Sequence, residues 1–264
     1  MKTLVTPALT TRWSGEYRFL ISNLLLKDFR VRYRNMSLGF GWSVASPLVM
    51  MGVLTFIYTQ VMKTSIEHFA AFVLSGLVPF NFFSLSWLTG TVSLIDNAGL
   101  IKRTTFPREI IPISAVLANC LHFGIQIGLL LIVVMLSGLS PNINWLFLPV
   151  IIALEIVFVS GIALAFSAVD VYVRDTRYVV ESAITVLFWM VPIFYDSNTI
   201  PERFRFVYHM NPIAAAVMAF RNILLENRLP ALSLVSKLAA VSVLTFVVGL
   251  VIFRRLKLRF YDYL

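Results

Sequence analysis

The chain alternates between long apolar stretches and short polar breaks rich in Lys and Arg. Crossing about 30 Å of hydrocarbon takes roughly 20 apolar residues in a helix. Five stretches reach or approach that length: 38–62, 69–94, 110–137, 145–169 and 234–253. A sixth, 178–195, is shorter and carries Glu181 near one end and Pro192 near the other. The pattern predicts an all-α polytopic membrane protein with six transmembrane helices. Segment 213–225 is apolar over only 13 residues and holds Arg221 near its end. That length is too short to cross, and it predicts a short extracytoplasmic re-entrant or interfacial helix before the last span.

Ahead of the first span, 16–34 reads as an amphipathic interfacial helix. Tyr17, Leu20, Ile21, Leu24 and Val31 share one face, and Asn23, Lys27, Arg30 and Arg34 fall opposite. Asp28 interrupts the apolar side. A basic helix of this kind suits a membrane surface, where Lys27, Arg30, Arg32 and Arg34 attract anionic headgroups. Neither an internal repeat nor a linker divides the chain, so 1–264 reads as one domain. It comprises an arm over 1–36, the membrane region over 38–253 and a tail over 254–264. The stretch 196–233 contains Pro201, Pro212 and Pro230 and must break into short pieces. Asn211-Pro212 fits a helix start, with Asn as cap and Pro at the first position.

Composition agrees with the pattern. Of 264 residues, 59% are hydrophobic and 13% charged, against about 45–50% and about 25% in soluble domains. A disordered segment, a fibre and an ordinary soluble enzyme are excluded. The formal charge of +9 looks out of place until the 22 basic residues are sorted by loop. Sixteen fall on the side of the two termini and six on the other. By the positive-inside rule both termini are expected in the cytoplasm. The surplus is then a topology signal, and nucleic acid is not needed to explain it.

Candidate chemistry is sparse. Cys120 is alone, and His68, His122 and His209 have no Cys or carboxylate at ligand spacing, so no metal site is expected. Ser75-Gly76 and Ser160-Gly161 lack the Gly-x-Ser-Gly setting of intramembrane serine proteases, and no catalytic residue is assigned. Clustered aspartates for a polyprenyl-phosphate transferase are missing, as is a phosphate-binding loop. No cofactor is expected on this chain. Glu155 lies inside a span, either as a carboxylate satisfied at a helix contact or with a transport role. Aromatic residues are abundant: 22 Phe, 9 Tyr and 5 Trp. Trp42, Tyr58, Phe80, Phe83, Trp87, Trp189 and Tyr195 belong either to an interfacial belt or to a pathway wall that stacks on sugars.

Several polar strings carry a pattern. Lys27-Asp28-Phe29-Arg30-Val31-Arg32-Tyr33-Arg34, Leu38-Gly39-Phe40-Gly41-Trp42 and Ser46-Pro47-Leu48 resemble the N-terminal signature of polysaccharide-exporting ABC-2 permeases. Ile101-Lys102-Arg103-Thr104-Thr105-Phe106-Pro107-Arg108-Glu109 resembles the family's loop after its second span, and Val173-Arg174-Asp175 the loop after its fourth. Pro192-Ile193-Phe194-Tyr195, Ile200-Pro201-Glu202 and Asn211-Pro212, followed by Arg221, are similar to its region before the last span.

The resemblance implies the permease subunit of an ATP-driven exporter of lipid-linked polysaccharide, such as O-antigen, capsule or teichoic acid. It implies a homodimer in the cell inner membrane with two copies of a separate ATPase, which would hold the ATP and Mg. Undecaprenyl-linked polymer and membrane lipids are the other implied partners. Asp96, Asn97, Lys102, Arg103, Phe106, Pro107, Arg108 and Glu109 would form the ATPase-coupling loop. Pro201, Asn211, Pro212 and Arg221 would belong to an outer gate. Two other readings stand beside it: an ABC-2 exporter of small lipophilic compounds, and a membrane enzyme acting on polyprenyl-linked sugars.

Overall fold

In the computed structural model, residues 17–33, 41–103, 106–196, 201, 203 and 211–263 are described. Arg34 and the side chain of Arg32 lie outside them. Helix α1 covers Tyr17–Tyr33. Helix α2 runs Trp42–Phe56 and continues as a π-helical turn to Val61. Then come α3 (Phe69–Asp96), α4 (Ala98–Arg103) and α5 (Ile110–Leu136). A 3-10 turn over Ile143–Phe147 leads into α6 (Leu148–Asp170), followed by α7 (Thr176–Met190). The last elements are α8 (Pro212–Leu224), α9 (Leu232–Leu256) and α10 (Phe260–Tyr263). Among the described residues there is no strand.

Among the described residues, five helical stretches are long and apolar enough to cross a membrane: Trp42–Val61, Phe69–Asp96, Ile110–Leu136, Ile143–Asp170 and Leu232–Arg259. At about 1.5 Å per residue, the 28 residues of α3 reach beyond a hydrocarbon core. The fifth of the six expected crossings is different. Helix α7 has 15 residues, about 22 Å, and stops where Val191 turns extended just before Pro192. Too short to count among the spans, it is followed by a bend that runs on toward the start of α3. Phe188 packs on Phe80, halfway down α3, while Phe194 reaches Tyr58, which stacks on Phe69 at the start of α3.

The bundle therefore has two unlike ends. Lys102, Arg103, Arg254, Arg255 and Lys257 lie at the ends of α4 and α9, and Arg174 and Arg177 where α6 gives way to α7, here called the basic end. Helix α8 occupies the opposite end. Helix α3 is the buried centre, with Val73, Leu74, Phe82 and Phe83 almost wholly enclosed. Helix α2 is its opposite: only Ser43 and Pro47 are buried.

Small residues set the tightest contact. A Cβ placed on Gly249 of α9 would lie 2.0 Å from the Gly161 carbonyl oxygen of α6. One placed on Gly161 would lie 2.5 Å from the Phe246 amide nitrogen. Backbone meets backbone here, as small residues allow where lipid gives helices no hydrophobic reason to associate.

The amphipathic reading of α1 needs adjustment. Leu24 is buried, yet Phe19 and Leu26 are exposed beside Lys27 and Arg30. The helix also packs against α5, and the Lys27 ammonium donates to Asn97 Oδ1, so α1 is joined to the bundle.

Candidate functional site

At the basic end, α3 stops at Asn97. Its side chain turns back to donate to the Ser93 carbonyl at 2.8 Å, which also accepts from the Asn97 amide at 3.2 Å. Helix α4 follows at once and buries Ile101, while Lys102 and Arg103 stay exposed, as does Asp96. Phe106, Pro107, Arg108 and Glu109 are half-buried. Arg108 donates to the Lys257 carbonyl at 3.0 Å, and the Lys257 ammonium meets Glu109 Oε1 at 2.6 Å. Among its described residues, the loop expected to couple thus has a basic tip and an anchored return.

The aromatic candidates divide into two groups. Phe80, Phe83 and Trp87 stand inside the protomer's core, not on its surface. Phe83 lies against Trp87 and Phe158, and Trp87 makes an edge contact with Phe166 of α6. The sequence could not separate them from wall residues, since a ring facing a neighbouring helix and one facing a pathway share the same periodicity. Trp42 and Trp189 are more than half exposed, and Tyr58 and Tyr195 are half-buried. Trp189 shares a face of α7 with Glu181 and Thr185, at intervals of four residues, and all three are exposed. Sequence reading passed over Thr185, although the spacing was there to be seen.

At the opposite end, Asn211 caps α8: its Oδ1 accepts from the amide of Ile213 at 3.0 Å and of Ala214 at 3.5 Å. Pro212 takes the first helical position. Arg221, on the same helix, is only 6% exposed. It donates to the carbonyls of Ile193 at 2.7 Å and Phe72 at 3.5 Å, and its guanidinium lies 3.5 Å from the Phe72 ring centre. One side chain thereby fastens α8, the start of α3 and the bend after α7. Gly76 leaves the room, since a Cβ there would sit 3.0 Å from Ile193 Cα. A cavity of about 1040 Å³ opens alongside, lined by Asp196, Arg221, Glu226, Leu234, Lys237 and Leu238 among others. Pro201 is exposed and is not among the described residues that line it.

The sequence matches the ABC-2 type transporter family over residues 20–225. This chain belongs to that family. It is 34% identical over 239 residues to the O-antigen export system permease protein RfbA of Klebsiella pneumoniae, covering 90% of this chain and 92% of the relative. The protein of the same name from Myxococcus xanthus is 30% identical over 230 residues, 86% and 88% of the two chains. The polysialic acid transport protein KpsM of Escherichia coli is 25% identical over 239 residues, 89% and 92% of the two chains.

Two polar features of this ABC-2 protein were not foreseen. The His122 Nδ1 lies 2.7 Å from Ser43 Oγ, and Gln126 Nε2 lies 2.9 Å from His122 Nε2 and donates to the Ser43 carbonyl at 3.3 Å. This node holds the start of α2 to the middle of α5. Nothing in the sequence links Ser43 to a residue 79 positions later. Glu155 of α6 is fully buried, and neither carboxylate oxygen has a hydrogen-bond partner among the described residues.

Proposed function

We propose that this ABC-2 protein is the permease half of an ATP-driven exporter of lipid-linked polysaccharide. The observation that carries the reading is the exposed face of α7. Glu181, Thr185 and Trp189 lie on one exposed side of α7, where the Thr185 hydroxyl bonds to the Glu181 carbonyl at 3.0 Å, and a carboxylate on a face turned to hydrocarbon would be costly. Such a face suits a hydrated pathway shared with a second copy of the chain, with Trp189 and Trp42 offering rings to sugar C–H faces. Homodimerisation completes that wall. The relatives' names, O-antigen export and polysialic acid transport, support the cargo class.

The energy source in this reading is a separate ATPase, two copies per dimer, which holds the ATP and Mg. The basic end faces the cytoplasm of a cell whose inner membrane holds the dimer, and Lys102 and Arg103 present the coupling tip. A tip fixed by Asn97 on one side and by Pro107 to Glu109 on the other moves as a unit. Lys27 and Arg30 lie close enough to that end to meet lipid headgroups or the pyrophosphate of an undecaprenyl carrier. Arg221, with the capped start of α8, braces the outer gate.

The test is complementation of a deletion strain, with surface polymer and drug sensitivity measured together. Replacing Phe106-Pro107-Arg108 by Gly-Ser-Gly keeps the chain in the membrane and abolishes surface polymer. Wild-type polymer from that variant refutes the coupling role. Changed drug sensitivity without polymer loss favours the small-compound exporter. Turnover of a polyprenyl-linked sugar by the purified chain without nucleotide favours the enzyme reading.

A further inference from the structure

Beyond α9 the chain does not run free. Lys257–Arg259 make a 3-10 turn, and α10 folds back so that Phe260 is completely buried. Phe260 belongs to a second hydrophobic core, separate from the main one and confined to the basic end. That core joins Leu94 of α3, Ile101 of α4, Ile111 of α5, Leu164 and Ala168 of α6, and Phe253 of α9. Helices α3, α4, α5, α6, α9 and α10 all contribute to it.

Polar contacts reinforce the same seam. Lys257 pairs with Glu109 at 2.6 Å, and its carbonyl accepts from Arg108 at 3.0 Å. Tyr172, in the turn after α6, donates to the Leu256 carbonyl at 2.6 Å, and its ring lies 4.7 Å from that of Tyr263. The Arg108 guanidinium lies 6.0 Å from the Phe260 ring centre. Arg108 and Glu109 stand directly before the first turn of α5, and Lys257 directly after the last turn of α9.

We propose that segment 257–263 is a strap through which displacement of the loop 97–109 reaches α9, and through Gly249 and Gly161 reaches α6. The proposal rests on the reading of that loop as the ATPase contact. Its logic is mechanical. Helices α5 and α9 show no extensive packing on one another along their lengths. Helix α9 instead packs on α6 more extensively than any other pair in the bundle. A push on the loop would otherwise reach the last helix only indirectly, through α3, α5 and then α6. With the strap closed, the loop, the turn after α6 and the end of α9 move as one body. Lys257, Phe260 and Tyr172 are then positioning residues: they touch no cargo and no nucleotide.

The distinguishing experiment uses the full permease assembled with its ATPase in vesicles. Three quantities are read for each variant: cross-linking of the ATPase to a photoreactive residue at position 102, ATP turnover, and polymer export. Glu109→Lys and Lys257→Glu each place like charges where an ion pair stood. Lys257→Glu, outside the coupling loop, is expected to keep the cross-link and to hold ATP turnover within about twofold, while export falls at least fivefold; Glu109→Lys is expected to lower export by as much. The double exchange restores export to within twofold, which a general loss of fold would not permit. Phe260→Ala, tested at equal membrane abundance, reproduces the Lys257→Glu pattern. Wild-type export from both single reversals overturns the strap, and so does a double exchange that assembles but stays inactive. Loss of ATP turnover in step with export in Lys257→Glu also overturns it, because the lesion would then lie at the ATPase contact. If the wild-type protein gives no cross-link, the loop reading fails and the strap falls with it.

Discussion

The contact between Gly249 and Gly161 makes the sharpest quantitative prediction. An alanine at 249 puts its methyl 2.0 Å from a backbone carbonyl oxygen, and no rotamer relieves a Cβ. To clear even 3.0 Å, α9 and α6 must separate by about 1 Å. A gap of about 0.5–1 Å forfeits a quarter to a half of each dispersion contact it opens. The pair shares the most extensive interface in the bundle, so the loss extends beyond the substituted turn. Overpacking of this kind costs about 1–3 kcal/mol, and contact with a backbone that cannot step aside places Gly249→Ala at the upper end. For a chain of this size about 3 kcal/mol corresponds to a fall in Tm of roughly 6–12 °C. Intrinsic tryptophan fluorescence of the detergent-purified protein during heating measures it. Gly128 in α5 is the control, because a Cβ there meets nothing within 4 Å. Alanine at 128 should leave Tm unchanged or raise it, since Ala favours helix over Gly by up to about 1 kcal/mol. A Tm for Gly249→Ala within about 2 °C of wild type, with Gly128→Ala well below it, would refute the argument.

Four other outcomes follow from the geometry. Arg221→Met removes the donor shared by the Ile193 and Phe72 carbonyls and should cost about 2–4 kcal/mol, as hydrogen bonds to a charged group are worth about 1.5–3 kcal/mol each; thermal unfolding measures it, and a Tm equal to wild type rejects the fastening role. Glu155→Leu removes a buried carboxyl that has no hydrogen-bond partner among the described residues, so Tm should hold or rise. If surface polymer is lost from that stable variant, Glu155 acts in transport rather than in folding. Asn211→Ala deletes the cap of α8 and should cost about 1 kcal/mol; faster proteolysis at the start of α8 in native protein reports it, and unchanged cleavage counts against the cap. Thr185→Leu makes the α7 face more apolar and should lower export without lowering the amount of protein in the membrane; unaltered export removes Thr185 from the wall.

The long helices were legible because apolar length is what a hydrocarbon solvent demands, and 69–94 or 110–137 can satisfy it in only one way. Asn211-Pro212 was legible for a local reason, since a cap acts on the backbone two and three residues ahead. The limit of α7 was visible in Pro192, though the bend that follows it was not. Phe80, Phe83 and Trp87 mark where such reading stops. In lipid the outward face of a helix is as apolar as its inward face, so periodicity no longer tells inside from outside. Contacts made across long separations were invisible for the same reason. Neither Ser43 with His122 nor Glu109 with Lys257 leaves any trace in local spacing.

The Ser43–His122–Gln126 node also bears on how the protein is made. Helix α2 buries almost nothing of its own, and its polar anchor on α5 is encoded 79 residues downstream. At about 5–20 residues per second of synthesis, α2 waits roughly 4–16 s before His122 exists. During that interval it has only α3, made directly after it, to pack against. Helix α2 is therefore the natural place for biogenesis to fail, and codon changes that lengthen the wait should show there first.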